Sequence, residues 1–204
     1  MNYRPILYVA ASLLLFAVAC STAEQSSNTE NQTSDTSEVV VAPATTTASL
    51  ATVTVLNDSI PSPRKRMTAT LGTVAVTVEY GSPSVKGRTL WGSLVPYGEV
   101  WRTGANEATT ITFSAPVTIG TQTLAAGTYG LFTIPGESDW TIIFNQGAEQ
   151  WGAYEYNESK DVLRTKVVPQ TAETASETLE FDATEGTIML RWGNLVVPFA
   201  VAAA

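Results

Sequence analysis

The densest set of polar side chains in this chain is Arg88, Glu99, Arg102, Asn106, Glu107 and Thr109, gathered between Gly87 and Thr109. Guanidinium forks suit planar pairs of oxygens, so Arg88 and Arg102 would make a clamp for an anionic or carbonyl group. Glu107 would then be the acid or base, with Asn106 as its orienting amide. A structural reading competes with this one and is favoured: Arg102 and Glu107 form a buried ion pair that fixes a loop short of regular hydrogen bonds. The tryptophans raise a second chemistry, since flat rings beside carboxylates and amides suit pyranose faces. Trp91, Trp101 and Trp151 lie in loop-like sequence, whereas Trp140 and Trp192 fall at strand positions and read as core. Packing under the loop is favoured even for the first three. Glu99 and Glu107 are the one pair nominated for glycoside hydrolysis, which needs two carboxyls at a defined separation. Glu137, Asp139 and Glu149 are the acidic residues that would hold a hard cation such as Ca²⁺, but their spacing matches no known calcium loop, and surface acidity is the ordinary explanation. No metal is assigned, and no cofactor is expected.

Composition narrows the chemistry. There is no histidine in the 204 residues and one cysteine, Cys20. With no imidazole to take a proton, triad-type and Cys-His nucleophiles are excluded, together with zinc and copper sites of the nitrogen and sulfur type. Catalysis would have to rest on carboxylates, Lys, Tyr or an oxygen-bound cation. A formal charge of -8 argues against nucleic acid as a partner.

Cys20 ends a secretory pattern. Arg4 supplies a basic start, Ile6 to Val18 is an apolar run, and Ala17-Val18-Ala19 places small residues before the thiol. The run is shorter than the roughly 20 apolar residues of a membrane-spanning helix. The segment resembles a bacterial lipoprotein signal, spanning residues 1–19, in which the cysteine is acylated and becomes the first residue of the mature protein. A free thiol in an oxidising compartment is a liability, which favours lipidation over an orphan cysteine. The expected location is a membrane of the bacterial envelope. Ser21 stands where inner-membrane retention signals of this type use Asp, so the outer membrane is preferred.

Residues 20–60 read as a flexible acidic tether. Ser21 to Ile60 contains no Lys or Arg, and its first half is almost wholly Ser, Thr, Asn, Gln and Glu, too polar to offset its ordering entropy. The patches Val39 to Val41 and Val53 to Leu56 are left out of the fold on balance. Arg64-Lys65-Arg66 reads as a solvated strand edge rather than a binding patch. From Met67 the apolar period becomes two: Val74, Val76 and Val78 alternate with small or polar residues. Further strands are expected over Thr109 to Phe113, Val117 to Ile119, Thr123-Leu124, Tyr129 to Ile134, Trp140 to Phe144, Asp161 to Val168, Thr178 to Phe181, Thr187 to Arg191 and Leu195 to Val201. The turn Pro135 to Asp139 predicts a hairpin. Roughly nine strands with no helical period predict an all-β, antiparallel sandwich or flattened barrel over residues 61–204, interrupted by one long ordered loop.

That loop carries a resemblance. PSVKGR, LVPYGEVWRTGANEAT, AGTY, LFTIPG, WTIIFN, the Gln150-Trp151-Gly152 triplet and KDVLR at Lys160 to Arg164 closely resemble the DUF2911 family of bacterial proteins, from about Pro63 to Phe199. The resemblance implies an all-β, secreted or lipoprotein-borne domain and no particular reaction. It also implies that a basic residue commonly stands where this chain has Ser82 and Gln146, so that any site built on those bases is weakened in this chain. The expected function is non-catalytic: the binding of a small molecule, glycan or envelope partner through Arg88, Trp91, Trp101, Arg102, Asn106 and Glu107. Carboxylate-dependent hydrolysis of a saccharide and a purely structural envelope role are the alternatives.

Overall fold

The computed structural model describes residues 48–204, through which twelve strands run. In chain order they are β1 (Thr52–Asn57), β2 (Arg64–Leu71), β3 (Val74–Gly81), β4 (Thr110–Phe113), β5 (Val117–Ile119), β6 (Gln122–Leu124), β7 (Gly127–Ile134), β8 (Trp140–Asn145), β9 (Asp161–Val167), β10 (Gln170–Thr184), β11 (Thr187–Ala200) and β12 (Ala202–Ala203). A seven-stranded sheet has the order β1-β2-β3-β4-β7-β8-β9, every neighbour antiparallel. The long hairpin β10–β11 and a small β12-β5-β6 sheet complete the fold. The result is an all-β sandwich without closure into a barrel.

Period-two alternation explains the layering. In β3 the residues Val74, Val76, Val78 and Tyr80 are buried, while Ala75, Thr77 and Glu79 face outward. The inward set joins Met67, Ile111, Leu131, Ile142 and Phe144 from neighbouring strands against Leu179, Phe181, Leu190 and Trp192 of the β10–β11 hairpin. The outer face is only partly covered. Toward β7 and β8, Phe132, Ile143 and Ala108 form a small second core beneath Val100, Ala153 and Tyr156. Toward β2, β3 and β4 the outer face stays open.

Two glycines let the loops lie on the sheet. A Cβ on Gly130 of β7 would stand 2.8 Å from the Gly147 carbonyl oxygen and 2.7 Å from the Phe132 ring. A Cβ on Gly81 would collide with the Ala105 backbone. The segment after Gly81 enters the core through its tryptophans. Trp91 meets Trp140 edge-on at 4.9 Å and Trp192 at 5.7 Å, and Trp101 stacks on Trp192 at 5.9 Å with 17° between planes. Packing therefore holds the loop, as expected for Trp91 and Trp101.

The expected strands are all present, with differences at three places. Thr52–Asn57 pairs with β2 as the sheet's edge strand, although it lies within the stretch that the sequence reads as tether over 20–60. Every β1 residue is exposed, so its composition resembles a linker's, and backbone pairing alone gives it a place. Thr187 to Arg191 and the run from Leu195 to Ala200 are one strand, because Gly193 (φ 58) pairs with Ser176 and the ladder continues past register shifts whose extra residues lie on β10. β2 includes Arg64, Lys65 and Arg66, none of them simply solvated: Lys65 lies 4.0 Å from Glu180, and Arg66 binds Glu79 at 2.6 Å. The signal peptide, Cys20 and the Val39 to Val41 patch lie outside the described residues.

Candidate functional site

The groove begins with what β3, β4 and β7 present outward. Thr77 and Glu79, Thr110 and Thr112, and Thr128 form a polar floor on the open part of the sheet. Short polar side chains keep this floor low, and the covering segments raise walls around it. One wall is Gln146 to Gln150, which crosses over Gly130. The other holds Glu107 and Ala108 at the end of the long loop, with Arg64 at the head of β2. The enclosed space is about 870 Å³, open to solvent along its length.

Hydrogen bonds fix the walls. The Ala108 amide donates to the Gln150 carbonyl at 2.9 Å, and the Gly152 amide donates to the Asn106 carbonyl at 2.9 Å. Between these bonds Glu107 and Trp151 pair across an isolated antiparallel bridge, so their side chains leave the same side of the pair. Trp151 is 60% exposed, so the expectation that it packs under the loop is corrected. Fully buried Asn145, at the end of β8, accepts from the Gly147 amide at 2.7 Å and donates to Asp161 at 2.6 Å. Asp161 in turn takes the Tyr156 hydroxyl at 2.7 Å and the Arg164 guanidinium at 2.6 Å. Burial and the hydrogen bond to Asp161 push the Tyr156 phenol up to about 12. Burial alone would lower the Arg164 pKa, but its bonds to Asp161 and Tyr156 outweigh that and raise it. This network braces the Gln146 to Gln150 wall from behind. Within the wall, Gln150 donates its amide to the Gly147 carbonyl at 2.8 Å, which leaves Oε1 buried without a partner.

The electrostatics of the groove are mixed and mildly acidic. Arg64, with its side chain 17% exposed, reaches Glu79 at 3.7 Å, Glu107 at 3.9 Å and the Ala108 carbonyl at 3.5 Å. Glu79 is further held by Arg66. Glu107 and Glu149 are exposed. The floor thus offers hydroxyls and amides that both donate and accept, under an excess of carboxylate over guanidinium.

The structure separates the residues nominated from sequence. Glu107 stands in the groove. Arg102 does not pair with it: among the described residues no carboxylate forms an ion pair with Arg102, and Glu107 faces Arg64 instead. The expected Arg102–Glu107 pair is therefore corrected. Arg102 Nε is buried without a hydrogen-bond partner, and burial pulls the guanidinium below its usual pKa. The register explains the difference, since an αL turn at Thr103 (φ 57) and Asn106 (φ 63) lies between the two side chains. Asn106 is no orienting amide for Glu107, because it donates to the Ser62 carbonyl at 3.2 Å. The Thr109 hydroxyl is buried on the Thr103 carbonyl at 2.9 Å. Trp101 is buried and stacks on Trp192, whereas Trp91 packs edge-on against Trp140 and Trp192 and also lines a second hollow together with Arg88. Glu99 is exposed and does not line the groove, so the Glu99–Glu107 pair is not assembled.

Arg88 lies elsewhere, in a shallower hollow of about 550 Å³ beside Tyr97, Glu177 and Asn194. Its guanidinium is spent on the Val85 carbonyl at 3.0 Å and the Ser84 carbonyl at 2.5 Å, which close its own turn. Asp139 binds Lys166 at 2.6 Å, and Glu149 sits on the groove wall, so the acidic residues around Glu137 do not converge. Ser82 is buried on the Leu179 carbonyl at 2.7 Å, whereas Gln146 borders the groove. Sequence reasoning missed Thr77, Glu79, Thr112 and Thr128; Arg64, read as part of a solvated strand edge, and Gln150, known only as part of a family motif, also line the groove. The outward Thr alternation on successive strands is the signal that marks the three threonines.

No curated protein and no solved structure matches this chain. A family profile described as a protein of unknown function, DUF2911, matches residues 62–201, which take in β3, β4 and β7 of the floor and both walls of the groove. The chain belongs to the DUF2911 family.

Proposed function

We propose that this is a non-catalytic saccharide-binding domain whose site is the groove on the outer face of the large sheet. The observation that carries this reading is the groove itself: about 870 Å³ of open space over threonine hydroxyls and glutamine amides, with the exposed Trp151 paired across a β-bridge with Glu107 of its lining. A polyhydroxylated ligand needs donors and acceptors in alternation together with a flat apolar ring, and such sites are built from few precisely placed polar groups. Anionic ligands would meet Glu79, Glu107 and Glu149 with Arg64 already engaged.

Hydrolysis is the less supported reading. Glu79 is tied to Arg66 and Arg64, and the pair nominated for that chemistry does not meet in the groove. The lipoprotein-like N-terminus supports an envelope location, with the domain presented to wall or surface glycans from a lipid on Cys20.

The test is a thermal-shift and calorimetric screen of the full-length protein against glucose and N-acetylglucosamine oligomers, since a ligand that binds the native state raises its melting point. Trp151→Ala and Glu107→Gln should each weaken binding about tenfold, a loss of about 1.4 kcal/mol, while leaving the melting point of the free protein unchanged. Binding that survives both changes would move the site away from the groove. Release of new reducing ends would replace the binding reading with hydrolysis.

A further inference from the structure

The strand registers align one threonine from each of five neighbouring strands. Thr52 of β1 pairs with Thr68 of β2, Thr68 with Thr77 of β3, Thr77 with Thr112 of β4, and Thr112 with Thr128 of β7. Directly paired residues in an antiparallel sheet point to the same face, so the five hydroxyls and methyls form a single line across the strands. At the usual 4.7–4.9 Å between strands the line is roughly 19 Å long. The Thr112 and Thr128 hydroxyls stand 2.8 Å apart, one donating to the other. Threonine is common on outward strand faces for its β propensity alone. That preference accounts for single positions, but not for register-matched threonines in an uninterrupted line. The adjacent row, Thr54, Arg66, Glu79 and Thr110, follows the more usual pattern and carries an ion pair.

The line also extends beyond the groove. Thr77, Thr112 and Thr128 lie on its floor, whereas Thr68 and Thr52 continue outward across exposed β2 and β1. A ligand confined to the groove would leave these two unused. We infer that the threonine line is a track for a linear polysaccharide of neutral or amino sugars, which lies perpendicular to the strands with one end in the groove and the other over β1. This rests on the saccharide reading of the groove. A repeat of one hydroxyl per strand spacing is close to the rise of one sugar in an extended β-linked chain; successive rings are turned over in such a chain, so alternate sugars meet equivalent partners. The Thr68 hydroxyl donates to the Thr52 carbonyl at 3.5 Å and one of Thr112 and Thr128 donates to the other, so these hydroxyls offer lone pairs to a ligand, while Thr52 and Thr77 can also donate; each threonine adds a methyl for the apolar face of the ring. The carboxylates at the groove end set the charge preference and exclude polyanions.

Calorimetry of the full-length protein with N-acetylglucosamine oligomers tests the track. A hexasaccharide should bind at least about tenfold tighter than the trisaccharide, which the three groove threonines already accommodate. The double variant Thr52→Val/Thr68→Val should bring the hexasaccharide down to the trisaccharide's affinity. Both positions are exposed and valine keeps the strand propensity, so an unchanged melting curve would show that the fold is intact. Equal affinity of the two oligomers for the parent protein would overturn the track and leave the groove reading standing. So would a long-chain advantage that survives the double variant. Failure of every oligomer, neutral or amino, to bind would overturn both. Tight binding of a polyanion such as polygalacturonate would overturn the charge argument on which the ligand class depends.

Discussion

Arg102 illustrates how a single side chain can be misassigned by its neighbours in sequence. It lies close to Glu107 along the chain, and a buried ion pair is the obvious economy, yet Glu107 meets Arg64 instead. Arg102 is left with a buried Nε that has no partner and with a pKa lowered by burial. A half-buried guanidinium without a carboxylate contributes packing through its stem while its charge opposes burial. Arg102→Met keeps the stem and removes the charge, so stability should stay within about 1 kcal/mol of the parent or rise. Arg102→Ala and Glu107→Ala should add in the double variant to within about 0.5 kcal/mol, as sites without a shared partner do. A coupling of several kcal/mol by chemical denaturation would restore the ion pair and refute the pairing of Glu107 with Arg64.

At the scale of elements, the groove exists because one loop crosses over a strand at a glycine. Gly130 interrupts an otherwise bulky β7, and the Gln146 to Gln150 wall rests where its side chain would be. Asn145, Asp161, Tyr156 and Arg164 hold that wall from the other side. Gly130→Ala would place a Cβ under 3 Å from the Gly147 carbonyl and the Phe132 ring. Overpacking of this kind costs about 1–3 kcal/mol. The wall, held mainly through single hydrogen bonds, should give way before the β4–β7 pairing does. The expected result is a cooperative domain with a lowered melting point and strongly weakened oligosaccharide binding. Normal binding at reduced stability would show that the wall does not shape the site.

The whole molecule joins an N-terminal segment with a lipoprotein-like signal to a sandwich that opens one face to solvent. Among the described residues no helix is long and apolar enough to cross a membrane. Attachment through Cys20 is a separate proposal, which rests on the lipoprotein-like sequence of residues 1–19. The mature protein should partition into detergent, and Cys20→Ser should release it or leave the precursor uncut. One acyl chain holds a protein only marginally, so stable retention implies more than one. Recovery of the parent as a soluble periplasmic species would refute the anchor. Limited proteolysis should trim the chain up to the region of Leu50 and stop there, because Leu50 donates its amide to the Ala183 carbonyl at 2.7 Å and β1 follows at once. Cleavage that removed β1 without lowering the melting point would detach that strand from the fold.

The sequence by itself determined the class of structure. Alternation at Val74, Val76 and Val78, the hairpin at Pro135 to Asp139 and the core positions of Trp140 and Trp192 are local patterns, and local patterns survive without knowledge of partners. It also determined which chemistries are absent, since a chain without histidine has no imidazole in any fold. The family, too, was legible, in the long loop and in the motifs of β7, β8 and β9. The tertiary structure alone decided where the site lies. Strand β1 looks like a linker because every side chain in it is exposed, and only its pairing with β2 shows otherwise. Glu107 finds Arg64, from the far side of β3 in the chain, rather than Arg102. The threonine line assembles one residue from each of five strands, of which only β2 and β3 are joined by a tight hairpin. Register fixes which residues stand opposite one another across a sheet, and register is set by long-range pairing that no single segment encodes.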